Sequence, residues 1–365
     1  MTILHRPGMV RINKLLQSLT QQKLDGFLVS SKSNVTYLSN FTGDSSLLLV
    51  TPEGTILLTD GRYTEQAAGE CHRDIQIFKW LNNERYGIRT YRHLINELSI
   101  KRLGIEGSII TFSTYRMLKE GLKKVELVSL EGMVEKQRQI KDRHEIDCIS
   151  MACSISIEAL RKTIPHIKSG ISEIELAARL EYNLKTSGAE NISFDTIVLS
   201  GQRTSLLHGK PGNHKLAEGD IVLFDFGALY KGYHADVSRT FILGKADNKQ
   251  KELYEIIQKA QMSAISSIKP GISGRKADEK VRECIPEKYI SHYYPGMGHG
   301  VGLDIHEEPF LGQQYESFLM ENMVLTVEPG IYIPGWGGMR IEDTVLITES
   351  STEILTGFPR ELMIL

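Results

Sequence analysis

The sequence predicts an α/β chain of two domains, and three observations carry the prediction. Helical and strand-type patterns alternate over residues 1–130, as they do in a compact α/β domain. Further on lie two apolar hairpins, at 221–243 and 322–348, each preceded by helices and each carrying at least two acids. The chain has 365 residues, 41% of them hydrophobic, which is ample for two separate cores.

In the first domain Met9, Ile12, Leu15, Leu16 and Leu19 recur at helical spacing and predict an amphipathic helix over 9–23, closed near Asp25-Gly26. GFLVS at 26–30 reads as a short buried strand. Residues 46–50 and 55–59 flank the turn signal TPEG and predict a hairpin. A helix over 85–98, a strand over 102–106 and a helix over 113–121 follow. This domain contains no tight group of metal ligands. Its polar loop NFTGDS, at 40–45, either faces a substrate or is an ordinary turn. The boundary falls near Glu131-Gly132, giving domains 1–132 and 133–365.

The second domain begins with a long helix over 134–160. A helix over 172–187 has Ser172 as N-cap and Gly188 past its end. A strand over 194–200 leads to the first hairpin. Later helices are expected over 247–267, stopped by Lys269-Pro-Gly, and over 274–283. The second hairpin, with strands over 322–328 and 339–348, closes the domain.

Within the first hairpin, Lys231-Gly232 separates two runs rich in β-branched and aromatic residues and can form a two-residue turn. Tyr230 then faces Tyr233, and Asp225 faces Ser238, which shares a sheet face with Asp236. The two carboxylates become diagonal neighbours with Cβ atoms roughly 7–8 Å apart, close enough to hold a metal between them, unless a bulge turns one away. A buried carboxylate is expensive unless paired or metal-bound. In the second hairpin Glu328 ends one apolar strand and Glu342 sits within the next. Between the hairpins lies GHGVG at 298–302, whose glycines leave His299 room to approach another group. Two Asp, two Glu and one His form a ligand set for two hard divalent ions; its oxygen-rich balance favours Mn²⁺, with Co²⁺, Fe²⁺ and Zn²⁺ open. Paired ions about 3.5–4 Å apart can deprotonate a bridging water and polarise a carbonyl. Taken singly, each acid also reads as a solvated or capping carboxylate; five in such settings is a rarer coincidence.

Composition narrows the rest. Net charge is −2 with no basic stripe, so nothing asks for nucleic acid or an anionic membrane. Cys71, Cys148, Cys153 and Cys284 show neither CxxC spacing nor disulfide density and are expected to be reduced. No run reaches 18 apolar residues and no leader pattern is seen, which predicts a soluble, cytoplasmic protein. The glycines around His299 lack the strand–GxGxxG–helix order of a dinucleotide site.

FDFG…YHADVSRTF, GHGVGLDIHE, TVEPGIY and RIEDTVLIT resemble the motifs of the pita-bread metallopeptidases, the family of methionine aminopeptidase, aminopeptidase P and prolidase. The resemblance covers about 137–365. SNVTYLSNFTG and LLTDGRY in the first domain resemble the N-terminal domain of the creatinase and proline-peptidase branch. The implied fold is a creatinase/prolidase-type α/β domain followed by a pita-bread domain, a curved antiparallel sheet flanked by helices. The resemblance implies that Asp225, Asp236, His299, Glu328 and Glu342 are the metal ligands, with Asp236 and Glu342 bridging two ions and Glu328 carrying a proton. It also implies that His208 contacts the scissile amide or the developing oxyanion and that His306 is a second substrate-side histidine. Arg340 resembles the arginine that steadies the site acids, against a reading as a rim salt bridge. Tyr332 resembles a phenol behind the site, against a packed core tyrosine.

Two positions depart from the family pattern: Pro295 replaces a histidine found four residues before the ligand histidine in some aminopeptidases P, and Leu207 replaces a proline. Both sit near the substrate and blur the subfamily. The implied activity is hydrolysis of an Xaa-Pro bond. The sequence leans to an Xaa-Pro aminopeptidase acting on peptides with proline second, because no insertion marks a dipeptide clamp. The alternative is an Xaa-Pro dipeptidase (prolidase), in which Arg340 or Lys210 would meet the substrate carboxylate. Creatinase-type chemistry without metal and a catalytically silent peptide-binding relative are more remote, since the ligand set is intact and no long charged tails are present. The N-terminal domain implies a homodimer.

Overall fold

The computed structural model describes residues 7–80 and 87–365. Two units divide the chain, Met1–Arg138 and Gln139–Leu365. In the first, the helix Pro7–Gln21 buries Ile12, Leu15 and Leu19, the face its spacing predicts. A six-stranded sheet runs in the spatial order Ile75–Lys79, Gly54–Thr59, Ser46–Thr51, Gly26–Val29, Arg102–Glu106, Glu126–Leu130. Only Ser46–Thr51 opposes its neighbours; the other pairings are parallel. Of the expected helix over 85–98, Ile88–Glu97 is seen, and positions 85 and 86 lie outside the described residues. The loop at 40–45 is tied within its own unit, with Thr42 donating its N–H and hydroxyl to Glu70.

The division at Arg138 falls beyond the expected 132. Arg138 Nη1 donates to Asn34 Oδ1 (2.9 Å), and Asn34 Nδ2 donates to both Glu135 and Glu106, so the short helix Glu135–Arg138 belongs with the first unit. The continuous helix expected over 134–160 is therefore interrupted. Asp142 caps a new helix, Arg143–Thr163, through a capping box with Glu145, and such a box takes the capping residue's backbone out of the helix. Arg and Lys on both sides of the gap concealed it in the pattern.

The second unit is built on antiparallel pairs. Ile221–Phe226 pairs with Val237–Ile242, and Ala228–Tyr230 with Tyr233–His234, in one uninterrupted register that puts Asp225 opposite Ser238 and Tyr230 opposite Tyr233. Lys231 and Gly232 both have positive φ (49° and 77°), the geometry of the tight hairpin turn the sequence predicts. The second hairpin pairs Val324–Val327 with Asp343–Ile347 and, beyond a break, Gly330–Ile333 with Gly337–Arg340. The hairpins lie side by side, joined by Glu342 N–H to Ser238 O (3.1 Å) and Thr344 Oγ1 to Asp236 O (2.7 Å). The helix Asn248–Ser267, capped by Asp247 and Gln250, packs Leu253, Ile257, Ala260 and Ala264 into a core shared with Leu325, Val327 and Ile341. Among the described residues no helix is long and apolar enough to cross a membrane.

Candidate metal centre

Strand breaks, rather than strand interiors, present most of the acids. Asp225 is within Ile221–Phe226, but Asp236 sits between His234 and Val237, Glu328 between Val327 and Gly330, and Glu342 between Arg340 and Asp343. The register runs on across each break, so Glu328 stands opposite Glu342 and their side chains turn into one cavity. His299 comes from the short strand Gly298–Gly300, wedged between neighbouring backbones. A Cβ on Gly298 would lie 2.0 Å from Thr326 O, and one on Gly300 2.4 Å from Glu308 O, so only glycine lets His299 in this close.

The cavity holds about 370 Å³ and is lined by all five acid and histidine candidates together with His208, His306, Tyr332 and Arg340. One ligand atom each from Asp236, His299 and Glu342 falls within a mutual 4.8 Å. His299 Nε2 lies 3.5 Å from Asp236 Oδ2 and 3.4 Å from Glu328 Oε1, while its Nδ1 faces Gly300 O at 3.1 Å. A Nδ1–H held by that carbonyl would leave Nε2 free as a ligand. Three buried carboxylate oxygens, Asp225 Oδ1, Asp236 Oδ1 and Glu342 Oε1, find no hydrogen-bond partner. Buried acceptors are normally satisfied, so orphaned oxygens from three acids lining one cavity fit a cation site.

Arg340, 4% exposed, answers part of the negative charge. Its Nη2 donates to Asp225 Oδ2, its Nε to Ser238 Oγ (2.8 Å) and its Nη1 to Tyr332 Oη (2.7 Å). Ser238 Oγ in turn donates a hydrogen bond to Glu342 Oε2 (2.6 Å). Burial opposes the Arg340 charge, but Asp225, Tyr332 and the glutamates outweigh it and push its pKa well above the ordinary value. Burial pushes Asp236 and Glu342 well above the usual carboxylate range, and the neighbouring acids add to it. Burial raises Glu328 too, with Arg340 and the Thr326 hydroxyl pulling the other way. Burial lowers the pKa of His299, and burial and His299 together lower that of His306. Metal-free, the cluster holds protons that a divalent ion would displace.

His306 stacks edge-on to His299 with ring centres 4.4 Å apart, and His208 stands exposed at the mouth. The rim-salt-bridge reading of Arg340 fails on burial. Tyr332 is buried yet lines the cavity through the phenol that Arg340 holds. The sequence reading did not name Ser238 or Thr326 as site residues, nor the wall of Tyr294, Phe310 and Tyr315. Ser238 was readable, since the hairpin register already set it opposite Asp225. The wall comes from two loops and the strand Glu307–Leu311, whose convergence leaves no periodic trace. A second cavity of about 540 Å³ adjoins the first, sharing Phe194, Ile197, His208 and His306 and continuing past Ile174 and Lys210.

Both parts of the chain match known families. The creatinase/prolidase N-terminal domain model matches residues 11–140, and the metallopeptidase family M24 model matches 147–349. The Xaa-Pro dipeptidase of Pyrococcus horikoshii is 38% identical over 361 residues, covering 97% of this chain and 98% of its own. A solved Xaa-Pro dipeptidase from Bacillus anthracis superposes with a TM-score of 0.94 at 38% identity, covering 98% of this chain and all of its own. An X-Pro aminopeptidase from Thermotoga maritima superposes with a TM-score of 0.90 at 36% identity, covering 97% and 99%. With a pita-bread second domain behind a creatinase-type first, this chain belongs to metallopeptidase family M24.

Proposed function

We propose that this chain is a two-metal Xaa-Pro dipeptidase. The observation that carries the reading is the cavity of converging acids with orphaned oxygens, in a chain similar along its whole length to proteins named Xaa-Pro dipeptidase. The sequence leaned toward longer peptides; the balance of relatives weighs for dipeptides.

Asp225, Asp236, His299, Glu328 and Glu342 would hold the two ions, with Mn²⁺ favoured by the four carboxylates. Bound there, the ions would supply Lewis acidity and a nucleophile at neutral pH. Glu328 would carry a proton from the attacking water to the leaving nitrogen of the proline. His306 and His208 would donate to the oxygen that develops negative charge. Arg340 is committed to Asp225, Ser238 and Tyr332, so it orients the acids and does not clamp the substrate carboxylate. Lys210, which lines the adjoining cavity and pairs with Asp195 at 3.8 Å, would be the cation for that carboxylate.

The second cavity favours the other reading, an aminopeptidase whose substrate runs on past proline. One comparison decides: kcat/KM on Xaa-Pro against Xaa-Pro-Yaa-Zaa with Mn²⁺ supplied. A dipeptide advantage of at least tenfold, about 1.4 kcal/mol in transition-state binding, supports the dipeptidase. Equal or better cleavage of the tetrapeptide overturns it. We propose a homodimer as the working state; a monomer of full activity in sedimentation at micromolar concentration would contradict that.

A further inference from the structure

Asp343, which follows Glu342, is fully buried and accepts from four side chains. Its Oδ1 takes hydrogen bonds from Arg239 Nη2 (2.7 Å) and Thr356 Oγ1 (2.6 Å), and its Oδ2 from Arg360 Nε (2.6 Å) and Gln261 Nε2 (3.1 Å). Arg239 is 1% exposed and spends its other N–H groups on backbone carbonyls. Nη1 donates to Ser238 and Glu342, Nη2 also to Phe358, and Nε to Pro359. Thr356 Oγ1 in turn accepts the N–H of Thr344, whose hydroxyl donates to the carbonyl of Asp236. The network therefore grips the backbone at Asp236 and at Glu342, from the side away from the cavity.

Stability alone does not account for it. A buried ion pair repays its desolvation poorly, and well-packed apolar residues often hold a fold as well or better. The acids in front of the network repel one another across the cavity, and three of them sit where their own strands are interrupted. A stiff backbone behind them would keep their carboxylates from splaying.

We propose that Arg239, Asp343 and Thr356 are positioning residues that hold the backbone of Asp236 and Glu342 so that their carboxylates stay converged on a pair of divalent ions. The inference rests on the two-metal reading. It is tested by calorimetric titration of metal-stripped protein with Mn²⁺, alongside circular dichroism and melting of the metal-free forms. Thr356→Val is nearly isosteric and changes no charge, but it removes the hydroxyl shared by Asp343 and the Thr344 N–H. Its Mn²⁺ dissociation constant should rise about tenfold, while Thr356→Ser, which restores the hydroxyl, should return to within about twofold of wild type. Arg360→Lys is the second variant should T356V not fold. Its side chain is 21% exposed, and lysine keeps the charge but loses the planar fork, so a several-fold weakening is expected. Lower melting temperatures with unchanged dissociation constants in these variants would mean structural glue only and would overturn the inference alone. A wild-type chain that takes up no Mn²⁺ would overturn the two-metal reading and this inference with it.

Discussion

Replacing Arg340 by methionine keeps the bulk of the side chain and removes the one guanidinium that, among the described residues, lines the acid cavity. Three contacts go at once: the ion pair to Asp225 and the hydrogen bonds to Ser238 and Tyr332. Removing one partner of a buried ion pair costs about 3–5 kcal/mol. At about 2–4 °C per kcal/mol for a domain of this size, the metal-free catalytic domain should melt about 6–20 °C lower. The loss should also depend on pH. Burial already raises Asp236, Glu328 and Glu342, and Arg340 is a force pulling each of them down. A carboxyl whose folded pKa lies above its unfolded value, near 4, loses stability as pH climbs between the two values. Without Arg340 that interval extends further up, so the gap between wild type and R340M should be wider at pH 8 than at pH 5. Melting curves of chelator-treated protein at both values measure it. Equal melting temperatures at pH 8, or a larger gap at pH 5, would refute the reasoning.

Three more outcomes are expected. Asp236→Ala removes a carboxylate from the centre of the cluster and should abolish both the pairing of metals and turnover; two tightly held ions with undiminished cleavage would sink the ligand assignment. Mn²⁺ affinity should rise with pH and level off above the raised pKa values, because Asp236, Glu328 and Glu342 must give up protons to bind; calorimetry in buffers of different ionisation enthalpy reads the protons released. His306→Ala and His208→Ala should each lower kcat by about 10²–10³ with metal content intact, the loss typical of one oxyanion donor; metal loss in His208→Ala would place that residue among the ligands instead.

The hairpin at 221–243 was legible down to its register. β-branched runs around Lys231-Gly232 allowed one short turn, and pairing from Tyr230/Tyr233 puts Asp225 opposite Ser238 by counting alone. The second hairpin was legible in its acids and in the end of its first strand, where Pro329-Gly330 follows Glu328, and not in the break at Glu342, which nothing in the apolar run marks. Expecting Asp236 and Glu342 inside strands missed why their carboxylates can turn inward. The short elements Lys32–Ser39, Thr64–Glu70 and Ile75–Lys79 escaped because each spans too few residues for a period to stand out. The Asp343 network behind the site joins distant positions, Arg239 to Asp343 across 104 residues and Gln261 to Asp343 across 82, which spacing does not encode. The N-terminal motifs pointed to their family through resemblance alone, since that domain holds no chemistry a composition could flag.

The most direct test of the account is a Mn²⁺ titration of metal-stripped protein with hydrolysis of an Xaa-Pro dipeptide followed in the same samples. The account predicts two ions bound per chain, and activity that is absent without metal and complete only when both are in place. Full hydrolysis with no divalent ion bound would contradict it.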